Sequence, residues 1–330
     1  MAGEVALGLT LPLPLRPEAG LLAAAVALDL VLGDPRYAAH PVRLIGRTLT
    51  AAERLLRRLG AGGYGGGIAL LALLGAFWVA AFSALVLAAG TLDPRAATAA
   101  HLLVLYSLLA LGDLLRHGFA VERALEARDL GAARAAVAQL VGRDVERMDE
   151  AACRRAVIES WSENLADGFT APVFWYVLGG LPGLVLFKVV STMDSMVGYK
   201  TPRYLRFGWC GARADDLMSY LPARLTWLLL AAAALLLPGG SAVRAWRCGW
   251  RQHGLLPSPN SGWSEAAAAG AIRRRLVGPI WRGGVLVTEV WLGDPSDPPA
   301  GAHADVTRAA GLITATGLLA TALGAAVLLL

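Results

Sequence analysis

The sequence predicts an all-α integral membrane protein, and three observations carry that prediction. Of its 330 residues, 56% are hydrophobic and only 17% are charged, against roughly 25% charged in an ordinary soluble domain. Mean hydropathy is +0.54. Several apolar stretches approach the roughly 20 residues that a helix needs to cross the hydrocarbon core. A disordered chain is excluded. The cysteines are Cys153, Cys210 and Cys248, with no C-x-x-C pair, which excludes a disulfide-built domain, a zinc ribbon and thioredoxin chemistry. The net charge of +5 rests almost wholly on arginine, since Lys188 and Lys200 are the only lysines. A modest arginine excess on such a chain marks cytoplasmic loops facing anionic lipid and calls for no nucleic-acid partner.

The elements follow in chain order. Leu21–Leu32 is apolar but short and contains Asp29; with Gly33 it is expected to be an uncleaved first span over 21–33. Ile68–Ala89 carries no charge, Ala99–Leu115 has only His101 and Asp113 near its ends, and Gly311–Leu330 is uncharged. These give spans at 68–89, 99–115 and 311–330. Phe169–Val190 is long enough to cross but is interrupted by Pro172, the Gly179–Gly183 break and Lys188. Broken backbone at membrane depth survives only when it is buried in protein or lines a cavity, so a re-entrant hairpin is expected over 169–190. Leu221–Leu237 is expected to be a short buried segment. Arg116–Gly168 shows helical periodicity, Pro238–Arg308 is expected to be a polar loop region, and Leu286–Trp291 reads as a strand. The whole, 1–330, is expected to form one polytopic domain with four crossings.

Polar information gathers in four clusters at the edges of the apolar segments. The first, Gly33–Arg47, holds an acid, a titratable base and a cation in Asp34, His40 and Arg43; an interfacial loop anchored by arginines accounts for it equally. In the second, Glu159, Glu163 and Asp167 stand at i, i+4 and i+8, one face of a helix. Like charges at that spacing repel, so a cation is expected to neutralise them, either Arg155 one turn earlier or Mg²⁺ completed by phosphate oxygens; an ordinary solvated helix face is the alternative. The third, Ser191–Arg224, packs Asp194, Asp215 and Asp216 among Lys200, Arg203, Arg206, Arg213 and Arg224. Arginine forks suit phosphate and carboxylates suit metal; a self-neutralising salt-bridge network is the alternative. The fourth, Pro257–Glu265, leads into an Ala-rich helix that Ser264 is placed to cap.

Six segments, GDPRYAAHPVRLIGR, ESWSENLADGFTAPVFW, STMDSMVGYK, RYLRFGW, ARADDLMSYLPARL and SPNSGWSEAAAAGA, resemble in order the signature blocks of the CobD/CbiB cobalamin-biosynthesis proteins, the adenosylcobinamide-phosphate synthases. The resemblance runs from Asp29 to Gly293. The chain departs from the pattern at Leu256, Ser191 and Ser264, where the family usually has His, often Asn and often Pro.

The resemblance implies a ligase of the bacterial cytoplasmic (inner) membrane. It would join the propionate carboxyl of adenosylcobyric acid to aminopropanol or its O-phosphate, with ATP and Mg²⁺. Activation as an acyl phosphate and attack by the amine need metal between phosphates, cations on the transferring group and a base. The residues matching these needs are Glu163, Asp167, Asp194 and His40 for catalysis. Glu159, Glu163, Asp167, Asp215 and Asp216 are expected for metal. Asp34, Arg43, Asn164, Ser195, Lys200, Arg203, Arg213 and Asn260 are expected for substrate and phosphates. No G-x-x-x-x-G-K-[ST] loop is present. A corrinoid transporter and a non-catalytic scaffold for other late corrinoid-pathway membrane enzymes stay open. If all four clusters face ATP on the cytoplasmic side, neither 169–190 nor 221–237 crosses fully.

Overall fold

Backbone groups in a bilayer must satisfy one another, and the chain does so almost entirely with helices. The computed structural model describes residues 11–34, 37 and 39–330; Pro35, Arg36 and Ala38 of the first polar motif lie outside the described residues. It is 72% helical, with no closed sheet among the described residues. The helices are α1 Ala19–Leu32, α2 Pro41–Arg58, α3 Tyr64–Leu92, α4 Pro94–Tyr106, α5 Leu111–Glu126, α6 Leu130–Val137 and α7 Glu150–Leu165. They continue with α8 Ala171–Val197, α9 Trp209–Met218, α10 Tyr220–Ala233, α11 Ala242–Gln252, α12 Ser261–Ile272 and α13 His303–Leu329. Four runs are long and apolar enough to cross a membrane: Tyr64–Leu92, Pro94–Glu126, Glu150–Val197 and His303–Leu329, with a fifth if α9 and the run through Leu236 count together. The molecule is an all-α, multi-pass membrane protein.

Local chemistry sets many boundaries. Asp93, Asp129 and Asp149 cap α4, α6 and α7 by accepting from the amides of Arg95, Ala132 and Ala152 at 2.6, 2.8 and 2.7 Å, which satisfies otherwise orphaned donors. Pro41 and Pro94 open α2 and α4, where the missing N–H costs nothing. At 1.5 Å per residue the 14 residues of α1 reach about 21 Å, short of the roughly 30 Å core. The 169–190 stretch lies in a helix interrupted at Gly180, with φ 59°, and Pro182 follows inside it. A Cβ at Gly180 would stand 2.4 Å from the Leu15 carbonyl oxygen, so only glycine fits this approach. The chain remains helical on both sides of the break, and length and apolarity include it in a spanning run.

Three expectations are corrected. The 238–308 region is not a loop: it contains α11 and α12. It also holds four short strands, β1 Leu276–Val277, β2 Ile280–Arg282, β3 Val285–Thr288 and β4 Trp291–Leu292. The apolar run at 286–291 is divided between two sheets, β2 pairing with β3 and β1 with β4, both antiparallel. Ser264 does not cap α12, because the helix begins three residues earlier; its Oγ donates to the Ser261 carbonyl at 3.1 Å.

The chain divides into two units. One comprises the described residues up to Ala110, Ala171–Ser219 and Thr321–Leu330; the other comprises Leu111–Thr170 and Tyr220–Ala320. In the first, α3 packs on α2, α4, α8 and α9, and Trp78 and Phe82 stack with ring centroids 5.2 Å apart. In the second, α12 lies against α7, α10 and α11, and α5 against α6 and α7. Trp161 of α7 is fully buried and its Nε1 donates to the Leu114 carbonyl at 2.7 Å. Gly118 admits that indole, since a Cβ there would lie 2.3 Å from the ring.

Candidate functional site

The second unit holds an acidic centre. Asp149 starts α7 and a single π-helical turn, Ala166–Thr170, ends it; such turns occur frequently at functional sites. Glu159 and Glu163 keep the expected α-helical spacing, while Asp167 lies in the wider π turn. Their environments differ. Glu159 is 6% exposed. One of its oxygens accepts from Arg143 Nη2, and the other accepts from the Val277 amide at 2.9 Å. Arg155, the expected counterion, has its Nε 3.9 Å away and donates instead to the Val277 and Ala300 carbonyls, both at 3.2 Å. Val277 has φ 70°, uncommon for a β-branched residue. That strained residue is the one whose amide meets Glu159. Glu159 therefore ties β1 to α7 and is saturated by protein groups.

Glu163 and Asn164 are exposed and Asp167 is half-buried; Asn164 Nδ2 donates to the Ser160 carbonyl at 2.9 Å. Asn260, 7% exposed, accepts from Arg224 Nη1 at 3.0 Å, and the Arg224 guanidinium lies 3.4 Å from the Tyr220 ring centroid. The residue that sequence reasoning missed is Glu265. It sits on α12, where Gly262–Ile272 is buried throughout, and it is itself 6% exposed. The packing of α12 on α7 brings Glu265 within electrostatic range of Glu163, Glu159 and Arg143. It makes no hydrogen bond or ion pair among the described residues. Burial, reinforced by Glu163 and Glu159 and offset only by Arg143, pushes its carboxyl well above the usual carboxylate range. The available signal was a lone acid inside an Ala/Gly helix; no sequence pattern pointed to Arg143.

Acid groups crowd this centre: Glu159, Glu163 and Glu265 share Arg143, which is bonded to Glu159. A divalent cation bound by one or two of them would relieve that crowding. Mg²⁺ takes one or two carboxylates and completes its shell with water and phosphate oxygens, so no closed protein cage is required. Elsewhere in this unit Glu122, Glu126 and His303 converge, with donor atoms within 4.8 Å of one another. There Glu122 is already matched, 3.1 Å from Arg154 Nε through each oxygen and 2.8 Å from His303 Nδ1.

The first unit holds a mixed cluster. His40 ends the loop before α2, is 3% exposed, and its Nε2 lies 2.7 Å from Asp34 Oδ1. An imidazole beside an orienting carboxylate has the form of a general base. Glu53, 6% exposed, is shared by Arg57 Nε at 2.8 Å and Arg203 Nη2 at 3.1 Å. The Arg57 guanidinium lies over Phe207, 4.5 Å from its centroid. Arg213 pairs with Asp216 at 3.2 Å on α9. Asp194, near the end of α8, feels the charge of Asp216, and Asp215 is half-buried. Ser195 Oγ donates to the Thr192 carbonyl at 3.0 Å. Arg43 and Lys200 are exposed and form no ion pair among the described residues. Arg203 and Arg213 thus take the salt-bridge alternative in this structure, while Arg43 and Lys200 stay open to a ligand.

Comparison with known proteins bears on what these groups do. Residues 22–313 match the family described as CobD/Cbib protein. A "Cobalamin biosynthesis protein CobD" from Pelobacter propionicus is 44% identical over 281 residues, covering 85% of this chain and 87% of that protein. A protein of the same name from Klebsiella pneumoniae is 42% identical over 280 residues, covering 83% and 87%. "Cobalamin biosynthesis protein CbiB" from Salmonella choleraesuis is 42% identical over 274 residues, covering 82% and 85%. No solved structure matches.

Proposed function

This chain belongs to the CobD/CbiB family of cobalamin-biosynthesis proteins, and on that premise we propose that it is an ATP-dependent amide ligase of the bacterial inner membrane. The proposed reaction joins the propionate carboxyl of adenosylcobyric acid to aminopropanol or its O-phosphate. The γ-phosphoryl group of ATP passes to the carboxylate, giving an acyl phosphate and ADP. The amine then attacks the acyl carbon, phosphate leaves, and the ammonium proton goes to a base.

The observation that carries this reading is the buried Glu265 carboxyl, which makes no hydrogen bond or ion pair among the described residues and lies within electrostatic range of Glu163. Glu163 and Glu265 would hold Mg²⁺, which when bound supplies neutralisation of phosphate oxygens. Arg143 fixes Glu159 and, with Val277, sets the position of α7. In the first unit, Asp34 orients His40 as the proposed proton acceptor, and Arg43 and Lys200 are the exposed cations proposed for a phosphorylated substrate.

The test is product formation by the purified full chain in detergent. Adenosylcobyric acid, ATP, Mg²⁺ and either amine are supplied, and adenosylcobinamide or its phosphate is measured by mass spectrometry against ADP released. Equimolar product and ADP are expected. Product with neither amine, together with ATP-independent corrinoid uptake into proteoliposomes, would replace the ligase with a transporter.

A further inference from the structure

Helix α11, sequence AVRAWRCGWRQ, is strongly amphipathic, but its outward side is not simply polar. Ala245, Cys248 and Gly249 are buried, which leaves Val243, Trp246 and Trp250 exposed by 59%, 50% and 60% beside the exposed Arg247 and Arg251. Two depressions flank this face. Toward α10 lies an apolar groove of about 400 Å³, lined by Leu228, Ala231, Leu235, Val243 and Trp246, with Arg247 at its edge. On the other side lies a basic depression of about 270 Å³ lined by Arg244, Arg247, Arg251 and Asp294. Arg244 is neutralised by Asp297, at 2.7 Å. Arg247 and Arg251 form no ion pair among the described residues. Arg247 lines both depressions.

An apolar channel continuous with a pair of unmatched arginines, rimmed by half-exposed indoles, has the amphipathic profile of one lipid molecule. Tryptophan favours the headgroup level of a bilayer, and exposed arginines there attract anionic headgroups. We propose that α10 and α11 form a binding site for one anionic phospholipid of the surrounding membrane, with an acyl chain in the groove and the headgroup phosphate at Arg247 and Arg251. The site lies entirely within the second unit and does not depend on the ligase reading.

Native mass spectrometry of the full chain, released from detergent after titration with phosphatidylglycerol or phosphatidylcholine, tests the proposal. One phosphatidylglycerol per chain is expected at concentrations where phosphatidylcholine does not bind. The double variant Arg247→Glu, Arg251→Glu should weaken phosphatidylglycerol at least tenfold. Ala232→Trp, which fills the groove from an exposed position, should weaken it without altering headgroup preference. Both variants should elute as the parent does, since they change exposed side chains. Equal binding of the two lipids, undiminished phosphatidylglycerol in both variants, or a chain dimer that lipid displaces and Ala232→Trp abolishes would overturn the assignment; the last would give the groove to a second copy.

Discussion

The two polar regions of this protein use similar residues to opposite ends. In the first unit Glu53 is matched by Arg57 and Arg203, and His40 lies against Asp34. In the second unit the match is selective. Glu159 is saturated by Arg143 and the Val277 amide, while Glu265, equally buried, receives no hydrogen bond among the described residues. Desolvating a carboxylate is costly unless it is paired. A matched buried carboxylate is accounted for by the structure it holds; an unmatched one calls for a ligand or a proton. The difference separates the acids that protein groups hold from the one they do not.

The contrast can be broken most forcefully at Glu159. Glu159→Ala strands Arg143 in a buried site and should destabilise the protein by about 3–5 kcal/mol, read as the shift in unfolding free energy in detergent. A loss below 1 kcal/mol would remove Glu159 from the structural side. Glu163→Gln and Glu265→Gln should do the reverse. Each is expected to cut turnover roughly 100-fold, the scale of a lost transition-state electrostatic contact, with folding preserved. Near-normal turnover at saturating Mg²⁺ would dissolve the distinction.

A pH experiment sharpens it. The folded state holds Glu265 above the ordinary carboxylate range, so between the two pKa values the folded chain keeps a proton that the unfolded chain has released. Stability from this group therefore falls as pH rises from the ordinary carboxylate range toward the folded value. Thermal unfolding from about pH 4 to pH 8 should show that decline, and both added Mg²⁺ and Glu265→Gln should flatten it. A slope unaffected by either would mean that Glu265 does not titrate beside a cation site.

The smallest effects belong to the first unit's surface. Lys200→Ala should raise KM for a phosphorylated substrate several-fold with kcat nearly unchanged. Arg203→Ala should leave stability nearly unchanged, because its side chain is exposed and Glu53 keeps Arg57. A large loss of activity in Arg203→Ala would move that arginine from the ion-pair network to the substrate.

Much of this architecture is legible in the sequence. Long apolar runs at 68–89 and 311–330 predict helices, because transfer into hydrocarbon sums locally along the chain. The Asp caps and N1 prolines are likewise contacts within one turn. Less legible were the break at Gly180, which depends on the Leu15 carbonyl oxygen, and the division of 286–291 between two sheets.

By itself the sequence determined the membrane class, most helices, the family and the acidic face at Glu159 and Glu163, since each rests on composition or on spacing along one helix. Only the tertiary structure decided which of those acids the protein itself saturates. Arg143 reaches Glu159 from outside α7, Val277 does so across 118 positions, and Glu265 arrives on α12. Burial and counterions are set by which helices pack together, and the pattern along any one helix does not encode that.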